Sequence, residues 1–339
     1  MKIFEIVIDE AISVSHYTQA LVPAINDGVY KAIGQIYRIK GRDDQGEENF
    51  VDDDASHNQF IDTAFRELKN NLEKILPNTI KDSLNNSLGV PIVQDVSFLS
   101  IDGLVRGWAD GRDITFNMRF IDSIAKKAIN VIFDSVYNSY NGEERLDGFY
   151  FTCRSIGSGD RYLSRFVDDV IKKPVTKLAS TAVHELVHVL QHNRQFNKGK
   201  SDTEYRSYLD KYKGEFVDRH AKRLRNPDQS SNSDDDERYY NLYLASPQEI
   251  PAFAHQAALN IIDAFGFDEA EHKDDLAIGS VSHHDIVYAV NNITNGRFGQ
   301  PKTPREAMVR KRYIKLVYQE VARYLQQRLE QLKSKTTRN

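Results

Sequence analysis

The chain has 339 residues, of which 40% are hydrophobic and 28% are charged, and its formal net charge is −4. This length can bury a sizeable core in one large domain or two, and the composition is ordinary for a soluble globular protein. The slightly acidic balance excludes a protein that binds polyanions with its whole surface. The single cysteine, Cys153, excludes an internal disulfide framework and fits a reducing compartment.

The N-terminal stretch carries acidic residues where a secretory signal would need an apolar core. No stretch of the chain approaches the ~20 apolar residues of a membrane span. We therefore expect a cytoplasmic protein that is not secreted through a Sec signal and that has no membrane as a partner.

Residues 1–90 are predicted to form a mainly helical N-terminal region. Apolar residues spaced three or four apart predict a helix over residues 15–37. An acidic, polar stretch over residues 41–58 lacks the ligand spacing of a calcium-binding loop and is typical of a solvated linker. A second helical pattern covers residues 60–88, and Pro77 is expected to divide it into a pair of helices.

Residues 91–265 form the predicted central domain, which opens with strands. The hydrophobic period is close to two over residues 90–101, and the Asp110-Gly111 pair predicts a hairpin turn between two further strands. Residues 148–153 are predicted to form one more strand. Helices are predicted over residues 120–137, 161–171 and 174–195.

The helix over residues 174–195 carries an H-E-x-x-H motif. Because positions i and i+4 share one face of a helix, His184 and His188 can point two imidazoles at one ion. Zinc at a catalytic site takes three protein ligands and keeps a fourth position for water. Glu185, about 100° round the helix, can reach that water and so suits a general base. The alternative is a helix whose two histidines are ordinary core or surface residues.

The third protein ligand has several candidates. The metzincin pattern fails, because Gln191 and Arg194 occupy the positions that it requires to be Gly and His. His192 lies one turn after His188, but three ligands on successive turns of a straight helix cannot easily surround an ion tetrahedrally. We therefore expect His192 to be a surface residue or to orient a ligand. The carboxylate candidates are Glu204, Glu215 and Glu249.

Glu249 is the favoured candidate, because it begins an apolar helix. There the helix dipole and free backbone N–H groups would hold its carboxylate in place. The alternative is a helix cap. Ser246, three residues earlier, completes the pattern of a capping box, in which the Glu249 side chain would accept a hydrogen bond from the backbone and contact no metal. Both interpretations stay open from the sequence.

The predicted hairpin over residues 107–117 has two interpretations. It is our candidate for a strand that pairs with an extended peptide substrate beside the motif helix, as edge strands do in zinc peptidases of the zincin class. The alternative is an ordinary hairpin without a role in binding.

Residues 266–339 are predicted to form a C-terminal helical region that ends in a long helix over residues 304–335. This helix has one apolar stripe and an excess of basic residues. One interpretation is an amphipathic helix that docks on the body with a solvated face. The other is a docking arm for an acidic partner, nucleic acid included.

Two segments together resemble a known family. The motif stretch T-A-V-H-E-L-V-H-V-L-Q-H and the later pattern Y-x-x-S-P-x-E-I-x-A-x-A are similar to gluzincin-type zinc metallopeptidases of tailed bacteriophages, notably those of marine cyanobacteria. The resemblance covers about residues 103–259. It implies zinc bound by His184, His188 and Glu249, with Glu185 as the base. The 60 residues between His188 and Glu249 are a longer interval than in thermolysin-like enzymes.

We therefore expect an α+β protein: a mostly helical zincin-like domain with a small antiparallel sheet and a long C-terminal helix. The predicted function is a Zn2+-dependent metallopeptidase that hydrolyses a protein or peptide substrate in the host cytoplasm or a virion. One alternative is a non-catalytic structural or assembly protein that contacts other phage structural proteins as a virion component. The other is a nucleic-acid-associated protein that uses the basic C-terminal helix.

Overall fold

The computed structural model describes residues 14–36, 54–100, 106–139, 146–197, 244–245, 249–267, 276 and 280–336. Most of the expected acidic linker over residues 41–58 lies outside these ranges. The helices are α1 (Val14–Gly34), α2 (Asp54–Leu88), α3 (Arg119–Ser139), α4 (Leu146–Gly157), α5 (Arg161–Asn197), α6 (Glu249–Ala264), α7 (His283–Ile293) and α8 (Pro304–Thr336). The strands are β1 (Asp95–Leu99), β2 (Gly107–Asp110) and β3 (Asp113–Asn117).

Helix α2 is continuous, so the predicted break at Pro77 is wrong. A proline inside a helix costs about 3 kcal/mol, because it removes one backbone hydrogen bond and crowds the preceding turn. Each buried leucine or isoleucine contributes about 1.5–3 kcal/mol, and the buried stripe runs past Pro77 on both sides. The free energy gained by burying the stripe therefore exceeds the cost of placing Pro77 inside the helix. The stripe consists of Phe60, Ala64, Leu68, Leu72, Leu76, Ile80, Leu84 and Leu88.

The sheet has three strands in the order β1-β3-β2, and the predicted hairpin is present. Gly111 has a φ of +64° in the turn between β2 and β3, a conformation that favours glycine. The sheet is mixed and not wholly antiparallel as predicted, because β1 runs parallel to β3. Ile114 and Phe116 of β3 are fully buried, whereas β2 is only half-buried, so the more apolar strand takes the central position.

Residues 148–153 lie in α4, and the strand predicted there is wrong. The run is rich in aromatic residues, which favour strands in a short window. The buried hydrophobic side chains of α4 are Phe149, Cys153 and Ile156, and their spacing of three or four residues is that of a helix face. The two helices predicted over residues 161–171 and 174–195 are the single helix α5, which contains Pro174.

Helix α5 lies at the centre of the molecule. It packs against α1, α3, α4 and α6, and strand β2 lies along its side. Every residue from 181 to 190 is buried, so this part of α5 has no solvent-exposed face. Helix α6 packs between α5 and the long C-terminal helix α8. The motif therefore lies in the protein interior, with α6 as its neighbour.

The mostly helical fold class, with a small sheet and a long C-terminal helix, is confirmed. The predicted domain boundaries at residues 90 and 265 stay predictions. Among the helices described, none is both long and apolar enough to cross a bilayer.

Candidate metal centre

Two histidines of α5 meet at one point in the core. His184 and His188 are one helical turn apart, and their rings are 4.9 Å apart between centroids. Their Nε2 atoms are 3.2 Å apart. Both side chains are buried, because this turn of α5 is enclosed on all sides. The expected side-by-side placement of the two imidazoles is present.

Glu249 is the third member of this group. It is the first residue of α6 and is buried. Its Oε2 atom lies 3.4 Å from His184 Nε2 and 3.3 Å from His188 Nε2. The packing of α6 on α5 thus brings together residues that 60 positions of sequence separate.

The three ligand atoms form a nearly equilateral triangle with edges of 3.2, 3.3 and 3.4 Å. A tetrahedral ion with bonds of about 2.0–2.1 Å separates its ligand atoms by about 3.3–3.4 Å. The triangle therefore has the size that one tetrahedrally bound ion requires. In the described part of the chain, no other group of His, Cys, Asp and Glu side chains gathers in this way.

The charge of Glu249 suits a cation at this point. Burial favours the neutral acid and so raises the pKa of the Glu249 carboxyl, but the His188 and His184 imidazoles hold that pKa well below its usual range. The carboxyl is therefore ionised at neutral pH. A buried carboxylate next to two imidazoles is a donor set that binds divalent metal ions.

The two histidine rings have different neighbours. His188 Nδ1 lies 3.3 Å from Gln191 Oε1, three residues further along α5. Phe253 of α6 contacts the ring of His184 edge-on, with 4.6 Å between centroids. His184 Nδ1 is buried and has no hydrogen-bond partner among the described residues. One imidazole is thus oriented by a hydrogen bond and the other by aromatic packing.

Glu185 lies next to His184 on α5, and its side chain is buried. Its Oε2 atom has no hydrogen-bond partner within the described ranges. Burying a carboxylate oxygen without a partner is costly, so this oxygen is a candidate for contact with a bound water or ligand. Glu185 is not one of the three residues that converge on the metal position.

The other candidate residues lie apart from this group. His192 is half-buried and faces the hairpin: a Cβ built on Gly111 would lie 3.8 Å from its ring. His255 pairs with Glu320 of α8, at 3.3 Å between Nδ1 and Oε2. Glu204, Glu215 and the predicted capping residue Ser246 lie outside the described residues.

The sequence did not single out Gln191 or Phe253 as parts of the site. Gln191 carried a usable signal, because positions i and i+3 are neighbours on a helix and His188 lies three residues before it. Phe253 carried no such signal. Its contact with His184 arises only because α6 packs on α5.

Comparisons with protein-family models, with curated proteins and with solved structures find no match to this chain. The assignment of the site therefore depends on its geometry and donor chemistry.

Proposed function

We propose that the protein is a zinc-dependent metallopeptidase whose metal ligands are His184, His188 and Glu249. The observation that carries this proposal is the buried triangle of two imidazole nitrogens and one carboxylate oxygen. Two histidines and one glutamate form a known ligand set of catalytic zinc sites, which keep one position for water.

The donor types suit zinc, which binds imidazole nitrogen and carboxylate oxygen in catalytic sites. The same residue types also occur in octahedral iron sites, so metal content has to be measured without assuming zinc.

Glu185 is the proposed general base. A zinc ion at this site would supply Lewis acidity, which acidifies a water molecule and polarises a carbonyl group. Glu185 accepts the proton of the attacking water and then donates it to the leaving amine. Its buried oxygen without a partner supports this role, because such an oxygen is available for a water or a substrate proton.

Strand β2 is the proposed site of substrate pairing. It lies at the edge of the sheet and pairs only with β3 in the described part of the chain. It also lies along α5: a Cβ built on Gly107 would be 3.2 Å from Cγ2 of Thr181, one turn before His184. An extended peptide that adds to this edge would receive backbone hydrogen bonds beside the motif helix.

Two glutamate-to-glutamine variants test the proposal and serve as controls for each other. Both side chains are buried, and each substitution removes a charge while keeping the shape. We expect the parent to bind one zinc ion per chain and to cleave an unfolded, fluorescently labelled casein. Glu249→Gln should weaken zinc retention, because a ligand is lost. Glu185→Gln should retain zinc and lose about 10²–10⁴-fold in rate.

Metal content by mass spectrometry and casein cleavage are the two readouts. A parent chain that binds no metal at neutral pH, even when zinc is supplied, contradicts the proposal. Equal zinc binding by the parent and Glu249→Gln moves the third ligand to another residue. Zinc binding without hydrolysis of casein or of a peptide library would instead support the non-catalytic structural protein.

A further inference from the structure

Helix α8 has two faces of different character. Its buried face packs on α6, and Tyr313 Oη donates a hydrogen bond of 2.7 Å to the carbonyl oxygen of Leu244. The buried side chains of this face include Val309, Tyr313, Val317, Val321 and Tyr324. The opposite face is exposed over the first half of the helix.

The exposed face is basic. At ~100° per residue, its exposed side chains between positions 305 and 319 fall within about 160° of the helix circumference. Four of them carry a positive charge, and none carries a negative charge. We name these four residues the basic face: Arg305, Lys311, Arg312 and Lys315.

The acidic residues of this half of α8 are engaged elsewhere. Glu306 accepts a hydrogen bond of 2.6 Å from the backbone N–H of Lys302 at the start of the helix. Glu320 is buried, and its carboxylate lies 3.3 Å from both His255 and Arg323. Neither carboxylate therefore neutralises the basic face.

The four cations of the basic face also have no carboxylate partner among the residues that the structure describes. Every described ion pair involves other residues. The whole chain has a net charge of −4, whereas α8 contains nine basic and three acidic residues. Because the charge is concentrated on one helix of an acidic chain, overall composition does not account for it.

The composition of the basic face and its neighbours indicates whether the acidic partner is a protein or a nucleic acid. Protein–protein interfaces have an apolar centre and are depleted of lysine, whereas nucleic-acid interfaces are strongly positive. Lys311 and Lys315 lie in the middle of the face, and Met308 and Tyr318 are the large hydrophobic side chains exposed beside them. The composition thus favours a phosphate backbone, and Tyr318 offers an aromatic ring on which a base can stack.

We propose that the basic face of α8 binds the phosphodiester backbone of a nucleic acid. Arg305 and Lys315 are ten residues apart, so the four cations extend over about 15 Å of helix. Such a row contacts several phosphates at once without reading bases, and it predicts binding that depends on salt and not on sequence.

Charge reversal at two lysines tests this proposal. The variant is Lys311→Glu with Lys315→Glu, and its matched control is Lys126→Glu with Lys127→Glu. The control lysines are exposed on α3, and the change in net charge is the same. Binding of the full chain to labelled single-stranded and duplex DNA of random sequence is followed by fluorescence anisotropy between about 50 and 200 mM salt.

We expect the parent to bind, with log affinity falling by about 0.7–0.9 per contacted phosphate for each unit of log salt. The Lys311/Lys315 variant should bind at least about 10-fold more weakly. The slope of its log affinity against log salt should be smaller in magnitude by about two. The Lys126/Lys127 control should bind like the parent. Stronger binding to the single strand would identify stacking on Tyr318 as a contribution, which Tyr318→Ala should remove.

Three results would overturn the proposal: no binding to either form of DNA at low salt, equal loss in the control variant, or tighter binding to poly-glutamate than to DNA. The last result would identify an acidic protein as the partner. Thermal unfolding of both variants checks that each is folded. The candidate metal ligands lie on α5 and α6, whereas the basic face is the exposed side of α8, so either proposal can fail without the other.

Discussion

At the scale of single residues, the candidate site depends on how its imidazoles are oriented. Nε2 of His188 can face the metal position only if Nδ1 faces away, and Gln191 Oε1 lies 3.3 Å from that Nδ1. An Nδ1–H that donates to Gln191 leaves the lone pair of Nε2 for the metal. With a metal bound as proposed, Gln191 would therefore be a positioning residue and not a ligand.

Replacement of Gln191 by leucine should lower zinc affinity by about 10–100-fold, because groups that orient a ligand histidine have effects of this size. The matched control is His192→Gln, one residue further on the same helix and outside the metal-binding group. Competition with a chromogenic chelator measures both affinities. Unchanged affinity in Gln191→Leu would mean that packing alone orients His188, and a loss in His192→Gln would return His192 to the ligand set.

At the scale of elements, two helices that pack on α5 approach each other closely at glycines. Gly34 ends α1 and Gly157 ends α4, and the two backbones are in contact. A Cβ built on Gly157 would lie 2.3 Å from Cα of Gly34, well inside contact distance. The atoms nearest to this Cβ belong to the backbone of α1. The clash therefore cannot be relieved by rotation of a flexible side chain.

Replacement of Gly157 by alanine should therefore destabilise the protein by about 1–3 kcal/mol, the usual cost of overpacking. Alanine is more favourable than glycine by about 1 kcal/mol in the interior of a helix. Gly157 is the last residue of α4, so the substitution gains less than this amount of stability there. Urea denaturation measures the change. The control is Arg154→Ala on the exposed side of the same helix, with an expected change within about 0.5 kcal/mol. A stabilised Gly157→Ala variant would contradict the close approach.

At the scale of the whole molecule, a metal ion would link α5 to α6. His184 and His188 belong to the first helix and Glu249 to the second, so an ion bound by all three exists only in the folded state. Ligands that bind only the folded state stabilise it, and the effect depends on free ligand concentration.

Zinc at about 100 times its dissociation constant should stabilise the parent by about 2.7 kcal/mol. This corresponds to a rise of about 4 °C in melting temperature for a chain of this size. The rise should be absent in Glu249→Gln and should diminish at acidic pH, because protons compete with zinc for the imidazoles. Calorimetry with zinc and with EDTA measures it, and an equal rise in Glu249→Gln would indicate binding elsewhere.

Local patterns account for the parts of the structure that the sequence predicted. The approach of His184 to His188 depends on helical geometry over one turn, and the long helices α2, α5 and α8 have a sustained apolar period. The hairpin turn at Gly111 depends on two adjacent residues. The strand predicted over residues 148–153 is wrong because a run of six residues, three of them aromatic, is too short to distinguish a strand from a buried helix.

Long-range packing decided the rest. Whether Glu249 reaches the histidines depends on how α6 packs on α5, and the local sequence is also compatible with a helix cap. The central position of β3 and the parallel pairing of β1 depend on which strands bury Ile114 and Phe116. Helix type and spacing follow from neighbours along the chain. The site and the sheet order follow from contacts between distant residues, whose energies no local pattern contains.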